Sequence, residues 1–161
     1  MNVWIGCDHG GYETKLELLR VLDEMKTSYT DVGCHSTDIV RYPYYAAKVA
    51  GAVADGRVDR GVLICTTGIG MSMIANKYKG VRAALCLTEH MARMTREHND
   101  SNVLCIGGRI TELPVVKDIL RTWLATDFIG GRHEISLSLI AEAEEQMYNG
   151  TVWGEAEENY R

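Results

Sequence analysis

Two hydrophobic rhythms take turns along the chain. Short runs at residues 2–6, 61–65, 81–86 and 102–106, apolar over most of their length, predict strands, and a further strand is expected over 28–32. The run Gly61-Val62-Leu63-Ile64 is continuously apolar, as a strand buried on both faces of a parallel sheet would be. Between the runs the spacing changes to three and four. Tyr12, Leu16, Leu19 and Leu22 form one stripe of a helix over 12–25. Pro43 suits a helix first turn, Ala46, Val49, Ala50 and Val53 give that helix its apolar face, and Gly56 suits its end. A helix is expected from Ser72 onward, and another after Thr88 as N-cap, carrying Met91 and Met94. Leu113, Val116, Leu120, Trp123 and Leu124 turn one helix inward, and a last helix covers 134–148 and stops at Gly150.

Strands alternating with helices predict an α/β fold: three layers, with a five-stranded parallel sheet covered on both faces by right-handed crossovers. One domain is expected over 1–150. The acidic tail 151–161 is expected to be solvated, with Trp153 anchored on the body. In such sheets ligands bind beyond the carboxyl ends of the strands. Those ends read Cys7-Asp8-His9, Cys65-Thr66-Thr67, Cys86-Leu87-Thr88 and Gly107-Gly108-Arg109, so polar chemistry gathers at one edge.

A net charge of −5 argues against a broad nucleic-acid surface, which needs a basic face. No apolar run approaches the roughly 20 residues that cross a bilayer, and the N-terminus has no signal-peptide pattern, so a cytoplasmic protein is expected. The five cysteines form no CxxC pair and are expected as packed thiols.

Cys65 stands out. It ends a buried strand beside two hydroxyls and the turn Gly68-Ile69-Gly70, where the N–H groups of a following helix suit a phosphate or an enolate oxygen. A thiol near a helix N-terminus or a cation can serve as a general base. Asp8 and His9 suit sugar hydroxyls better than a metal, because adjacent residues on an extended strand diverge. His98 and Asn99 end a helix before the last strand, where an imidazole is as often solvated or capping as chemical. Arg132 follows Gly130-Gly131 and suits a phosphate or an ordinary surface position. His35 and His90 read as surface residues. Gly68-x-Gly70 lacks the third glycine of a dinucleotide fingerprint.

The segments Gly6-Cys7-Asp8-His9, Tyr42-Pro43-x-Tyr45-Ala46, Ile64-Cys65-x-Thr67-Gly68-Ile69-Gly70, Ala75-Asn76-Lys77, His98-Asn99-Asp100-x-Asn102-Val103 and Gly130-Gly131-Arg132-His133 run in unbroken order. Together they resemble the family of type B ribose-5-phosphate isomerases and galactose-6-phosphate isomerase subunits. The resemblance implies a Rossmann-like domain that forms homodimers or tetramers, with each active site completed by the partner subunit. It implies interconversion of a phosphorylated aldose and its ketose isomer, without metal or other cofactor. By resemblance Cys65 is the base, and Thr67 with the amides of Thr66, Gly68, Ile69 and Gly70 cradles the enediolate. His98 opens the sugar ring. Asp8, His9, Tyr42 and Asn99 hold hydroxyls, and Arg109 and Arg132 hold phosphate.

Three positions depart from the family pattern. Thr66 replaces the common glycine after the cysteine and is expected to narrow the cradle. Ser136 stands where a second phosphate arginine is common, and Arg41 where an aspartate precedes Tyr42. Arg41 is a candidate to supply the missing charge. A sugar-phosphate-binding protein without catalysis is the alternative that Thr66 and Ser136 motivate.

Overall fold

The computed structural model describes residues 1–150, and the expectations for the tail and Trp153 lie outside the described residues. The elements are β1 (Asn2–Cys7), α1 (Tyr12–Glu24), β2 (Ser28–Asp31), α2 (Tyr42–Ala54), β3 (Arg60–Cys65), α3 (Ile69–Ala75), β4 (Ala83–Leu85), α4 (Glu89–Asn99), β5 (Val103–Gly107), α5 (Leu113–Ala125) and α6 (Arg132–Tyr148). All five strands are parallel, in the order β2-β1-β3-β5-β4.

Side chains divide by strand period between two apolar layers. Val3, Ile5, Val62, Ile64, Leu104 and Ile106 pack under Leu18, Val21 and Leu22 of α1 and Val116, Ile119, Leu120 and Trp123 of α5. Leu63, Cys65, Val103 and Cys105 face Ala46, Val49 and Ala50 of α2 and Met71 and Ala75 of α3. Burial on both faces is why the inner strands read as unbroken apolar runs. β1 and β3 are neighbours whose flanking helices, α1 and α2, cover opposite faces. Their carboxyl ends therefore border the crevice where ligands bind in open α/β sheets.

Several expectations are corrected, among them Leu113, which is exposed at the start of α5 and not turned inward. In α1 the buried residues are Lys15, Leu18, Val21 and Leu22, whereas Leu16 is 40% exposed. The helix is rotated because the Lys15 ammonium has a buried partner set: both carboxylate oxygens of Asp31 and the Cys34 carbonyl, each at 2.7 Å. β4 is shorter than its apolar run. The Asn102 side chain takes the Arg82 N–H and the Asn76 side chain takes the Ala83 N–H, which limits strand pairing at that end.

Helix α3 begins at Ile69, three residues before the expected start, and α6 begins at Arg132. No residue of α6 is fully buried, and Ile135, Ile140, Met147 and Tyr148 remain exposed. No helix among the described residues is long and apolar enough to cross a membrane.

Candidate active site

β3 ends on Cys65, and its ladder continues one step into the loop. The Gly108 and Arg109 N–H groups donate to the carbonyls of Cys65 (2.8 Å) and Thr66 (3.1 Å). On the other side the Asp8 N–H donates to the Ile64 carbonyl at 3.2 Å. Three chain segments therefore meet around the thiol. Cys65 is 5% exposed, and its sulfur accepts a hydrogen bond from the Gly68 N–H at 3.0 Å. That turn requires glycine: Gly68 has a φ of 76°, and a Cβ there would stand 2.5 Å from Leu85 and 2.8 Å from the Ile106 carbonyl carbon. Thr67 Oγ1 accepts from the Ile69 N–H at 3.3 Å.

Thr66 does not close the loop as its size suggests. Its Oγ1 lies over Gly10, where an added Cβ would stand only 2.2 Å away. The missing side chain of Gly10 is what makes room for the hydroxyl. Asp8, nearly buried, organises this turn by accepting from the N–H groups of Gly10 (2.9 Å) and Gly11 (3.2 Å) through one carboxylate oxygen. His9 is gripped at Nδ1 by the backbone of Val40, 3.2 Å from its oxygen and 3.3 Å from its nitrogen, which leaves Nε2 unengaged. The Tyr42 ring lies against Gly70, where a Cβ would meet it at 2.8 Å.

Asp8, His9, Val40, Arg41, Tyr42, Pro43 and Tyr44 enclose a cavity of about 500 Å³. Cys65 and Thr66 are not among the residues that line it. The site at this edge of the sheet thus gathers Asp8, His9, Tyr42, the stretch from Cys65 to Gly70, and Arg109.

His98, Asn99 and Arg132 are elsewhere. Helix α4 leaves the carboxyl end of β4 and returns to the start of β5, so its last turn lies at the amino edge of the sheet. Five residues of β5 separate that edge from the Cys65 edge, about 16 Å at about 3.3 Å per residue. The segment before α6 is tied to the same corner by the Ile129 N–H on the Glu97 carbonyl at 3.2 Å. There His98 stacks on His133, with ring centroids 4.2 Å apart. Burial, then the neighbouring His98 and Arg132 charges, hold the His133 imidazole below the usual histidine range. Asn99 lines a second cavity of about 330 Å³ with Asn76, Arg82, Ile140 and Glu144.

Several motif residues are structural. Asp100 bridges Arg82 and Arg96, each at 2.8 Å. Asn76 and Asn102 splice the approach to β4. His35 and His90 are exposed, as expected, and the five cysteines are buried free thiols. The Arg41, Arg109 and Arg132 guanidinium groups are the ones among the described arginines with neither an ion pair nor a hydrogen bond. Unspent guanidinium groups suit an incoming phosphate. Sequence reasoning assigned no role to His133 or Val40. His133 is detectable only as the neighbour of Arg132, and Val40 acts through its backbone, which leaves no mark on residue type.

The family model described as Ribose/Galactose Isomerase matches residues 3–140. The chain is 43% identical over 145 residues to ribose-5-phosphate isomerase B of Escherichia coli, covering 90% of this chain and 97% of that one. Ribose-5-phosphate isomerase B of Clostridium thermocellum has a solved structure that superposes with a TM-score of 0.89 at 46% identity, over 91% of this chain and 99% of that one. The Mycoplasma genitalium ribose-5-phosphate isomerase B structure, with bound ribulose-5-phosphate, gives a TM-score of 0.86 at 35% identity, over 90% and 97% of the two chains. With its fold, its motif order and these likenesses taken together, the chain belongs to the ribose/galactose isomerase family.

Proposed function

We propose that this protein interconverts a phosphorylated aldose and its ketose isomer, with ribose 5-phosphate and ribulose 5-phosphate as the pair. The observation that carries the reading is the position of Cys65, at the carboxyl end of β3 next to the turn that carries Asp8 and His9. Cys65 takes the proton from C2 of the open-chain aldose and returns it to C1. The enediolate oxygens that form meet the Thr67 hydroxyl. They also meet the Thr66, Thr67 and Gly70 amides, since the Gly68 and Ile69 amides are engaged internally. Asp8, His9 and Tyr42 hold hydroxyls in the cavity.

His98 opens the furanose ring as acid and base, a role to which an imidazole is suited. In one chain it stands at the wrong edge of the sheet, so the complete site pairs Cys65 of one subunit with His98 and Asn99 supplied by a second copy. That arrangement is a homodimer with shared sites. The phosphate lies among Arg41, Arg109 and Arg132, the last supplied by the second copy as well.

Solvent deuterium tests the chemistry. Incubation with ribose 5-phosphate should wash deuterium into C2 of the aldose or C1 of the ketose. Saturable binding without exchange would instead establish a non-catalytic sugar-phosphate receptor. Exchange with galactose 6-phosphate, allose 6-phosphate or a tetrose phosphate, and not with ribose 5-phosphate, would move the assignment to that sugar.

A further inference from the structure

Cys7 and Cys34 are not used by this chemistry, yet their sulfurs are 3.5 Å apart. Their proximity is built by the backbone. Beyond β2 the parallel ladder continues through the Val32 N–H on the Ile5 carbonyl (2.9 Å) and the Cys34 N–H on the Cys7 carbonyl (3.1 Å). Neighbouring parallel strands lie about 4.8 Å apart, within the Cα separation that a disulfide tolerates. The sulfurs need only close to about 2.05 Å, a side-chain movement. Both belong to the apolar layer under α1, whereas Cys65 belongs to the opposite layer, so Cys65 does not compete for either.

We propose that Cys7 and Cys34 form a dithiol modification site that a hydroperoxide closes to a disulfide. Cys34, 5% exposed and followed by the exposed stretch 35–39, is the sulfur that the oxidant meets, whereas Cys7 is fully buried. The Cys34 thiol attacks hydrogen peroxide, giving Cys34 sulfenic acid and one water. The Cys7 sulfur then attacks the sulfenic sulfur. The S–O bond breaks, and the hydroxide leaves with the Cys7 proton as a second water. Two thiols are oxidised by two electrons and one peroxide is reduced. Burial pushes the Cys7 thiol up, and the Lys15 ammonium beside it works in the opposite direction; what suits Cys7 to the second step is its sulfur, 3.5 Å from that of Cys34. The cross-link would fasten Cys7, next to Asp8, to the loop whose Val40 grips His9.

The test uses the full chain carrying Cys65→Ser, so that this thiol cannot consume oxidant. After hydrogen peroxide, the intact mass should fall by two hydrogens, a peptide map should join Cys7 to Cys34, and dithiothreitol should reverse both. The oxidised chain should melt several degrees higher, because the bridge restricts the unfolded chain. Adding Cys34→Ser, or separately Cys7→Ser, should abolish the mass loss. A sulfinic or sulfonic acid at Cys34 without a bridge, a bridge to another cysteine, or two unmodified thiols in the folded chain would each overturn the proposal.

Discussion

The His98 and His133 rings lie face to face, 4.2 Å between centroids and within 6° of parallel. This contact joins the last turn of α4 to the first turn of α6. It also means that two protons on the pair would place two cations in contact. In the folded chain burial, the His98 charge and the Arg132 charge all make His133 resist protonation, whereas the unfolded chain accepts a proton near 6.5. Below that pH the unfolded state therefore binds more protons. This contribution to stability is present above 6.5 and is lost as pH falls through that value towards the lower folded midpoint. A histidine NMR titration should place His133 below 6.5, and His98→Ala should move it upward. An unmoved His133 midpoint in that variant would remove the coupling.

Gly10 and Thr66 fit as a pair. Gly10→Ala puts a methyl 2.2 Å from Thr66 Oγ1 and 3.1 Å from the Thr66 nitrogen. The expected cost is about 1–3 kcal/mol, with turnover reduced because the loop after Cys65 must shift. Adding Thr66→Gly should recover most of the loss, a non-additivity that denaturation and steady-state kinetics both read. Simple additivity would show that the two residues do not contend for one space.

The buried Lys15 ammonium is matched to Asp31, so removing one partner strands the other. Lys15→Met should cost about 3 kcal/mol in chemical denaturation, and Lys15→Met with Asp31→Asn should recover part of it. Loss in the double variant equal to or greater than that in the single one would contradict the pairing.

Arg41 carries charge at the mouth of the cavity with no partner. Losing one charge-assisted contact costs roughly 1.5–3 kcal/mol. Arg41→Ala should therefore raise KM for the sugar phosphate about tenfold or more, with a smaller effect on an unphosphorylated sugar. An unchanged KM for every sugar phosphate would remove Arg41 from the phosphate site.

The sequence was most readable where one physical demand acts alone. The run from Val62 to Ile64 reports burial on both faces, and the glycines after it report the turn, so the position of Cys65 was legible. Lys15 was not, because a lysine at helical spacing looks solvated until Asp31 and the Cys34 carbonyl are seen beneath it. The exchange of β4 and β5 in the sheet was also hidden, since strand order depends on crossover paths and not on residue pattern. Resemblance gathered Cys65 and His98 into one site on the understanding that a partner subunit completes it. Within one chain the fold holds the two apart: a helix that returns to the amino edge carries His98 away from the thiol.

Subunit complementation tests the central claim most directly. Cys65→Ala and His98→Ala chains, each inactive alone on cyclic ribose 5-phosphate, are unfolded together and refolded as a mixture. If sites are shared, every mixed dimer holds one site with both defects and one with neither. About half of the dimers are mixed, so about one quarter of wild-type activity should return. A mixture as inactive as its components, with mixed dimers present by mass, would contradict the account.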